Sequence, residues 1–183
     1  MTVSLTPVEG AAVVRLARAA LDAAVRGLTG PTSPDLEVMR RTAGVFVSLH
    51  VRRELRGCIG QAEPRDPIGR VVVHCAAAAA LEDPRFPPVR PDELSRIAVE
   101  VSVLTPPVPV AHPDAIDVGR HGLVVARGTR RGLLLPQVAV EWAWTRDEFL
   151  AHTCRKAGLP ADAWRQGAQV LAFEAEIFSE TDA

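Results

Sequence analysis

The sequence predicts an α+β fold with mixed, largely antiparallel sheets and packed helices, and three observations lead to it. Capping motifs open two stretches of helical periodicity, and the alternating strand patterns come in two hairpins. The chain has 183 residues, of which 48% are hydrophobic. That length supports one core, or a core with a small appended subdomain, but not two ordinary independent domains. We therefore expect residues 1–183 to form one compact domain.

The first element is a helix that begins after Thr6. Pro7 stands at the first helical position and Glu9 three residues after the cap, which is the capping-box pattern. Apolar residues then recur at three- and four-residue spacings to about Leu28. This helix is expected to pack its apolar face on the core.

A β-hairpin follows the first helix. Residues 44–51 and residues 55–60 each alternate apolar with other positions, and the charged turn 52–54 separates them. To keep the apolar residues of both strands on one face, paired residue numbers must have an even sum. A three-residue loop meets this condition, and a five-residue loop keeps the same face with shifted pairs. The three-residue loop predicts three cross-strand pairs: Val51 with Leu55, His50 with Arg56, and Ser48 with Cys58.

The rest of the chain continues with helices and strands. We predict a helix with Asp66 as its N-cap and Pro67 as its first residue, running to Leu81. The later elements are a helical turn at 91–94, a strand at 97–104, a second hairpin from 122–126 and 132–135, a helix from the capping box 145–148 to 157, and a closing strand at 170–178.

Composition and charge exclude several classes of protein. The formal net charge is −1, so the chain has no global basic field of the kind that binds nucleic acid or anionic membranes. Its three cysteines cannot all pair within one chain, and the N-terminus lacks a basic segment followed by an apolar run and a cleavage site. No apolar run approaches about 18 residues. We expect a reduced, cytoplasmic protein without a membrane-spanning helix.

Cys58 is the first candidate for chemistry. Gly57 and Gly60 remove side-chain bulk around it, which is useful where a ligand or another backbone approaches. Arg56, two residues away on the strand, is expected on the same face at roughly 7 Å, where it would favour the thiolate. His50, diagonally across the hairpin, is a candidate base. Cys58 is accordingly a nucleophile, a pocket-lining residue, or a small buried hydrophobe beside glycines that admit a helix against the sheet.

Arg85 and His121 are candidate binding residues. Arg85 stands in the stiff segment Asp83–Pro88, and rigid loops often carry binding groups. Its planar guanidinium suits a carboxylate or a phosphate. The alternative is a structural arginine that caps carbonyls or pairs with Asp83 or Glu82. His121 precedes a glycine at a strand start, and it either lines a pocket or belongs to a turn.

Metal and nucleotide motifs do not occur. The chain has no Cys-x-x-Cys or His-x-x-x-His spacing, no Gly-x-Gly-x-x-Gly, no P-loop and no Gly-x-Ser-x-Gly. We expect neither a metal nor a cofactor. The basic turns at 52–53 and 127–131 keep RNA or anion binding open, although the absence of Tyr and the scarcity of other aromatic residues disfavour a base-stacking platform.

At these motifs the chain resembles the AMMECR-one domain family, which is spread across bacteria, archaea and eukaryotes. The matching segments span nearly the whole length: Leu55–Gly60, Asp83–Val89, Val101–Pro107, His121-Gly122, Gly132–Ala139 and Phe149–Pro160.

The resemblance implies a larger and a smaller subdomain, intertwined and without an assigned boundary, and a cleft near the cysteine motif. It brings no established catalytic activity. Bacterial and archaeal relatives resemble one component of a three-part system. A Memo-like protein and a radical S-adenosylmethionine (SAM) enzyme are therefore the expected partners, beside a small-molecule or anionic ligand.

Two sets of site residues follow from the motifs and the resemblance. The expected binding residues are Gly57, Gly60, Arg85, His121 and Gln137. If the protein is instead an enzyme, a cysteine-dependent transferase or hydrolase, its catalytic residues are expected to be Cys58, Arg56 and His50.

Overall fold

The computed structural model describes residues 4–180. The described residues divide into two compact units: unit 1 comprises residues 4–104 and 176–180, and unit 2 comprises Thr105–Ala175. Each unit contains helices and antiparallel strands. The predicted α+β class is confirmed. No helix within residues 4–180 is long and apolar enough to cross a membrane.

Unit 1 begins with helix α1 (Pro7–Val25), which has the predicted capping box. The Glu9 N–H donates to Thr6 Oγ1 at 3.3 Å, and the Thr6 N–H donates to Glu9 Oε2 at 2.8 Å. These two bonds satisfy amide groups that a helix start leaves unpaired. The apolar stripe of α1 is buried, including Val13, Leu16 and Leu21.

The sheet of unit 1 is built around strand β1 (Gly44–Val51). It lies between β2 (Glu54–Gln61) and β3 (Ile97–Leu104), antiparallel to both, and β7 (Gln169–Ser179) is the neighbour on the far side of β3. Helices α1 and α3 (Ile68–Leu81) pack on each other and against these strands. The core of unit 1 therefore lies between the two helices and one face of the sheet.

Two details of unit 1 differ from the sequence prediction. Pro67, and not Asp66, is the N-cap of α3, because Pro67 has a non-helical ψ of 140° and forms a β-bridge with Thr42. The short helix α2 (Glu37–Arg40) was not predicted. Four residues are too few to show a helical period, so the sequence pattern carries no signal for it.

The register of the β1–β2 hairpin also differs from the prediction. Arg52 and Arg53 both have positive φ, +51° and +70°, as in a two-residue type I′ turn. The pairs beside this turn are Val51 with Glu54 and His50 with Leu55. Between Leu49 and His50 the register then shifts by one residue. The predicted pairs of Val51 with Leu55 and of His50 with Arg56 are therefore wrong.

The shift is a β-bulge in which Arg56 is the extra residue, since Leu49 pairs with Gly57 and His50 with Leu55. Beyond the bulge the predicted register is restored, and Ser48 lies opposite Cys58 as expected. Leu55 was predicted on the core face, yet it is 39% exposed. The two-residue turn shifts the pairing of β2 with β1 by one residue relative to the predicted register, and the bulge shifts it back by one. The predicted register therefore holds only beyond residue 56.

Unit 2 contains β4 (Val108–Pro109), β5 (His121–Arg127), β6 (Arg130–Leu134) and most of β7. Strand β5 pairs with β6 on one side and with β7 on the other, and helix α5 (Arg146–Lys156) packs on β5 and β6. Thr145 and Glu148 form the predicted capping box of α5. The short helix α4 (Pro136–Glu141), which starts directly after β6, was not predicted.

At Gly57 the backbone of helix α3 approaches strand β2 closely. A Cβ atom placed on Gly57 would overlap the backbone carbonyl oxygen of Ala79 in α3. Ala79 lies in a run of five alanines whose small side chains allow this approach, and it is 1% exposed. A backbone atom cannot rotate away as a side chain can, so only glycine fits at position 57.

We predict that Gly57→Ala lowers the free energy of unfolding by about 1–3 kcal/mol, the usual cost of forcing extra atoms into a packed core. Urea unfolding of the purified protein measures it. Gly30→Ala is the matched control, because a Cβ on Gly30 would meet Val73 Cγ1 at an ordinary 3.7 Å. Equal unfolding midpoints for the two variants would contradict the packing assigned to Gly57.

Candidate functional site

The main chain of Cys58 is held at both of its polar groups. Its N–H donates to Asp83 Oδ2 at 2.8 Å, and its carbonyl accepts from Arg85 Nη2 at 3.2 Å. Strand β2 is the edge strand of unit 1, so these groups have no neighbouring strand to bind. The loop after α3 thus satisfies an exposed sheet edge at this residue, which also protects it from pairing with another chain.

Asp83 and Arg85 form a two-point ion pair. Arg85 Nε lies 3.0 Å from Asp83 Oδ1, and Arg85 Nη2 lies 2.7 Å from Asp83 Oδ2. The Asp83 side chain is only 2% exposed. The guanidinium of Arg85, with the amides of Cys58 and Arg85, holds the pKa of Asp83 far below its usual value. Asp83 is therefore ionised at neutral pH, and we call the pair with its two bonds to Cys58 the Asp83–Arg85 clamp.

The thiol of Cys58 accepts a hydrogen bond from the hydroxyl of Ser48. Because both main-chain groups of Cys58 point away from β1, Ser48 and Cys58 form a pair without hydrogen bonds between their main chains, whose side chains lie close. Sγ of Cys58 is 3.2 Å from Oγ of Ser48. Burial raises the pKa of Cys58, an effect that the Ser48 bond and the charge of Arg85 only partly offset. At neutral pH the group is a thiol.

Arg56 is the extra residue of the bulge, and its guanidinium is engaged by a carboxylate. Its Nε is 2.9 Å from Glu93 Oε2 and its Nη2 is 3.1 Å from Glu93 Oε1. Glu93 belongs to the 3₁₀ turn Pro91–Arg96, and Arg56 holds the pKa of this carboxylate below its usual value. Arg56 thus ties β2 to the segment that leads into β3.

His50 shares a sheet face with the cysteine. Ser48 and His50 are two residues apart on β1, and Ser48 pairs with Cys58 on one side and Glu100 on the other. We call these four residues the polar face. His50 Nε2 is 3.9 Å from Glu100 Oε1 and has no hydrogen-bond partner within residues 4–180. A cleft of about 630 Å³ adjoins the polar face and is lined by His50, Arg52, Arg53, Ala98, Val99, Glu100 and Ser179.

The two glycines of the motif serve different neighbours. Gly57 admits α3, whereas a Cβ on Gly60 would overlap the ring of Phe46, its cross-strand partner. The sequence interpretation that both glycines admit a helix is therefore right for Gly57 and wrong for Gly60. At both glycines, the atoms that require the absence of a side chain belong to this protein and not to a ligand.

His121 and Gln137 both lie in unit 2. His121 Nδ1 accepts from the Asp117 N–H at 3.0 Å, and its Nε2 lies 3.9 Å from Glu174 Oε1. This is the turn arrangement that the sequence left open for His121. Gln137 is the second residue of α4 and is half-buried.

Metal ligands do not cluster in the described part of the chain. Within residues 4–180, no group of three or more His, Cys, Asp or Glu side chains is arranged to hold a metal ion. Cys58, Cys75 and Cys154 are all free thiols. Burial raises the pKa of Cys75 to about 11 and also raises the pKa of Cys154.

Sequence reasoning missed two acidic residues of this region. Arg56 pairs with Glu93 because of the bulge, and no pattern in the sequence indicated the bulge. The position of Glu100 could have been predicted in part, because the alternation of β3 places it on the face opposite the apolar residues. Only its pairing with Ser48 required the structure.

We predict that iodoacetamide labels native Cys58 more slowly at pH 7.5 than it labels the urea-unfolded chain, because a raised pKa leaves less thiolate. The apparent pKa of native Cys58, located by peptide mass spectrometry, should exceed the usual value of about 8.5. Ser48→Ala should raise it further, since the Ser48 bond lowers it. Ser95→Ala, at an exposed position of the 3₁₀ turn, should leave it unchanged. An apparent pKa below about 7.5 would show an activated nucleophile instead.

Comparison with known proteins identifies the family. The AMMECR1 family model matches residues 14–178. A protein of Methanothermobacter thermautotrophicus is 49% identical over 94% of each chain, and Protein MJ0810 of Methanocaldococcus jannaschii is 46% identical over 97% of this chain and 93% of its own. The crystal structure of uncharacterized protein PH0010 from Pyrococcus horikoshii matches with a TM-score of 0.82 and 44% identity, over 92% of this chain and 89% of that one. The chain therefore belongs to the AMMECR1 family.

Proposed function

We propose that this protein is a cytoplasmic accessory or binding protein that works with a Memo-like protein and a radical SAM enzyme, and that its ligand or partner cleft adjoins the Leu55–Gly60 motif. The observation that carries the binding role is the state of Cys58. Its main chain is held by the Asp83–Arg85 clamp, and its thiol has a raised pKa and a serine as hydrogen-bond partner. A strand fixed in this way suits a rigid binding platform.

The same observation weighs against the alternative, a cysteine-dependent enzyme. A nucleophilic cysteine needs a lowered pKa or a base within hydrogen-bond reach. The thiol instead bonds to Ser48, while His50 faces Glu100 at 3.9 Å. Arg56, the expected stabiliser of negative charge, is engaged by Glu93.

Nucleic-acid recognition through the arginine turn of unit 2 is supported even less. In unit 2, Arg127 donates to the carbonyls of Ala163 and Gln166, and Arg130 donates to that of Gly158. These two side chains therefore secure the loop after α5. They do not form a free basic surface for phosphates.

The partnership itself rests on the family resemblance. The polar face supports it as a candidate surface, because it joins half-buried ionisable groups to a cleft of a size usual for ligand sites. Partner binding at this face should depend on His50 and Glu100.

We expect affinity-tagged protein recovered from its native cells to enrich both the Memo-like protein and the radical SAM enzyme above an unrelated tagged protein. The double variant His50→Gln/Glu100→Gln should lose most of this enrichment. His74→Gln/Glu82→Gln is the control, because it removes the same two side-chain types at exposed positions of α3 and its C-cap. Circular dichroism checks that both variants fold.

Repeated failure of the wild-type protein to enrich either partner would falsify the partnership. Equal enrichment by the wild type and by the His50/Glu100 variant would instead remove the polar face as the partner surface.

A further inference from the structure

The turn between β1 and β2 carries two adjacent arginines in an unusual backbone conformation. Arg52 and Arg53 both have positive φ, a backbone conformation that residues other than glycine rarely adopt. Asn-Gly is the usual pair in a turn of this shape. Strained residues tend to persist at binding sites, where the strain serves the function. These two residues also line the cleft beside the polar face.

The two arginine charges of this turn have no partner among residues 4–180. Within residues 4–180, neither Arg52 nor Arg53 forms an ion pair or a side-chain hydrogen bond, whereas Arg56 is bound by Glu93 and Arg85 by Asp83. Both residues are exposed, so their guanidinium groups are accessible to a ligand. Their planar forks fit the oxygens of a phosphate or a carboxylate.

On the side of the sheet, the cleft is lined by an acidic residue, Glu100. The Glu100 side chain is 29% exposed, and its ion-pair neighbour is His50 Nε2 at 3.9 Å, which is too far for a hydrogen bond. His50 Nε2 is itself a buried atom without a hydrogen-bond partner among the described residues. Buried polar atoms are almost always satisfied by a protein group, a water molecule or a ligand.

We infer that this cleft binds a small molecule whose phosphate or carboxylate lies against Arg52 and Arg53 and whose ammonium or hydroxyl group donates to Glu100. The volume of about 630 Å³ is in the range of small-ligand sites. The inference rests on the proposed binding role of the polar face, for which it names the class of ligand.

Calorimetric titration with O-phosphoethanolamine tests it, because this probe carries both a phosphate and an ammonium group. The decisive variant is Arg52→Asn/Arg53→Gly, which removes both charges while supplying the residue pair that the turn favours. This variant should fold with an equal or higher melting temperature and bind the probe at least tenfold more weakly. Arg15→Gln/Arg26→Gln removes two charges from exposed positions and should change the affinity less than twofold.

The second group of the ligand is tested separately. Glu100→Gln should weaken binding of O-phosphoethanolamine severalfold and leave the binding of inorganic phosphate unchanged or stronger, since phosphate lacks the ammonium group. The inference is overturned if neither probe binds the wild type at millimolar concentration. It is also overturned if O-phosphoethanolamine binds the Arg52→Asn/Arg53→Gly variant as tightly as it binds the wild type. Tighter binding of a single-stranded RNA than of either probe, lost in the same variant, would assign the arginines to nucleic acid and overturn it too.

Partner recovery separates this inference from the proposed function. If both partners are enriched but neither probe binds, the ligand inference fails and the accessory role stands. If the probe binds and neither partner is enriched, the accessory role fails and the ligand site stands.

Discussion

The arrangement of unit 1 around its cysteine motif depends on one buried carboxylate. Asp83 accepts the Cys58 amide and holds Arg85, which in turn binds the Cys58 carbonyl. Strand β2 lies at the edge of the sheet, so without this clamp its outer main-chain groups at Cys58 would be unpaired and it would be held laterally only by β1. The clamp fixes β2 at its middle, and the positions of both faces of the strand follow from it.

Each face of β2 then has a distinct role. On one face Gly57 allows α3 to approach until its backbone touches the strand, which closes the core of unit 1. On the other face Cys58 meets Ser48, and the polar face continues through His50 and Glu100 to the cleft. Burial raises the pKa of the thiol, and the proposed function therefore uses the motif as a support for this face.

The sequence could predict those elements whose signals are local. Both capping boxes, the strands β1 and β3, and the pairing of Ser48 with Cys58 were predicted, because capping chemistry and alternation depend on neighbouring residues. The register near the turn was not predictable in the same way. Two arginines in positive φ give no compositional turn signal, and the bulge at Arg56 compensates the turn only in three dimensions.

The links across the chain were also beyond sequence reasoning. Pairing of Arg85 with Asp83 was an open alternative, since the two are neighbours. That Asp83 reaches the amide of Cys58, 25 residues earlier, requires the end of α3 to meet the edge of β2, which no local pattern specifies. Arg56 with Glu93 is the same kind of contact, made across 37 residues.

Amide hydrogen exchange at Cys58 tests the central role of the clamp most directly. In the wild type this amide should exchange slowly although it points away from the sheet, because Asp83 accepts it. Asp83→Ala should speed its exchange by at least about tenfold while Val101, in the centre of β3, stays protected. Asp92→Ala, which removes an exposed carboxylate paired with Arg90, should have no such effect. A Cys58 amide that exchanges freely in the wild type, or as slowly in Asp83→Ala as in the wild type, would contradict the account.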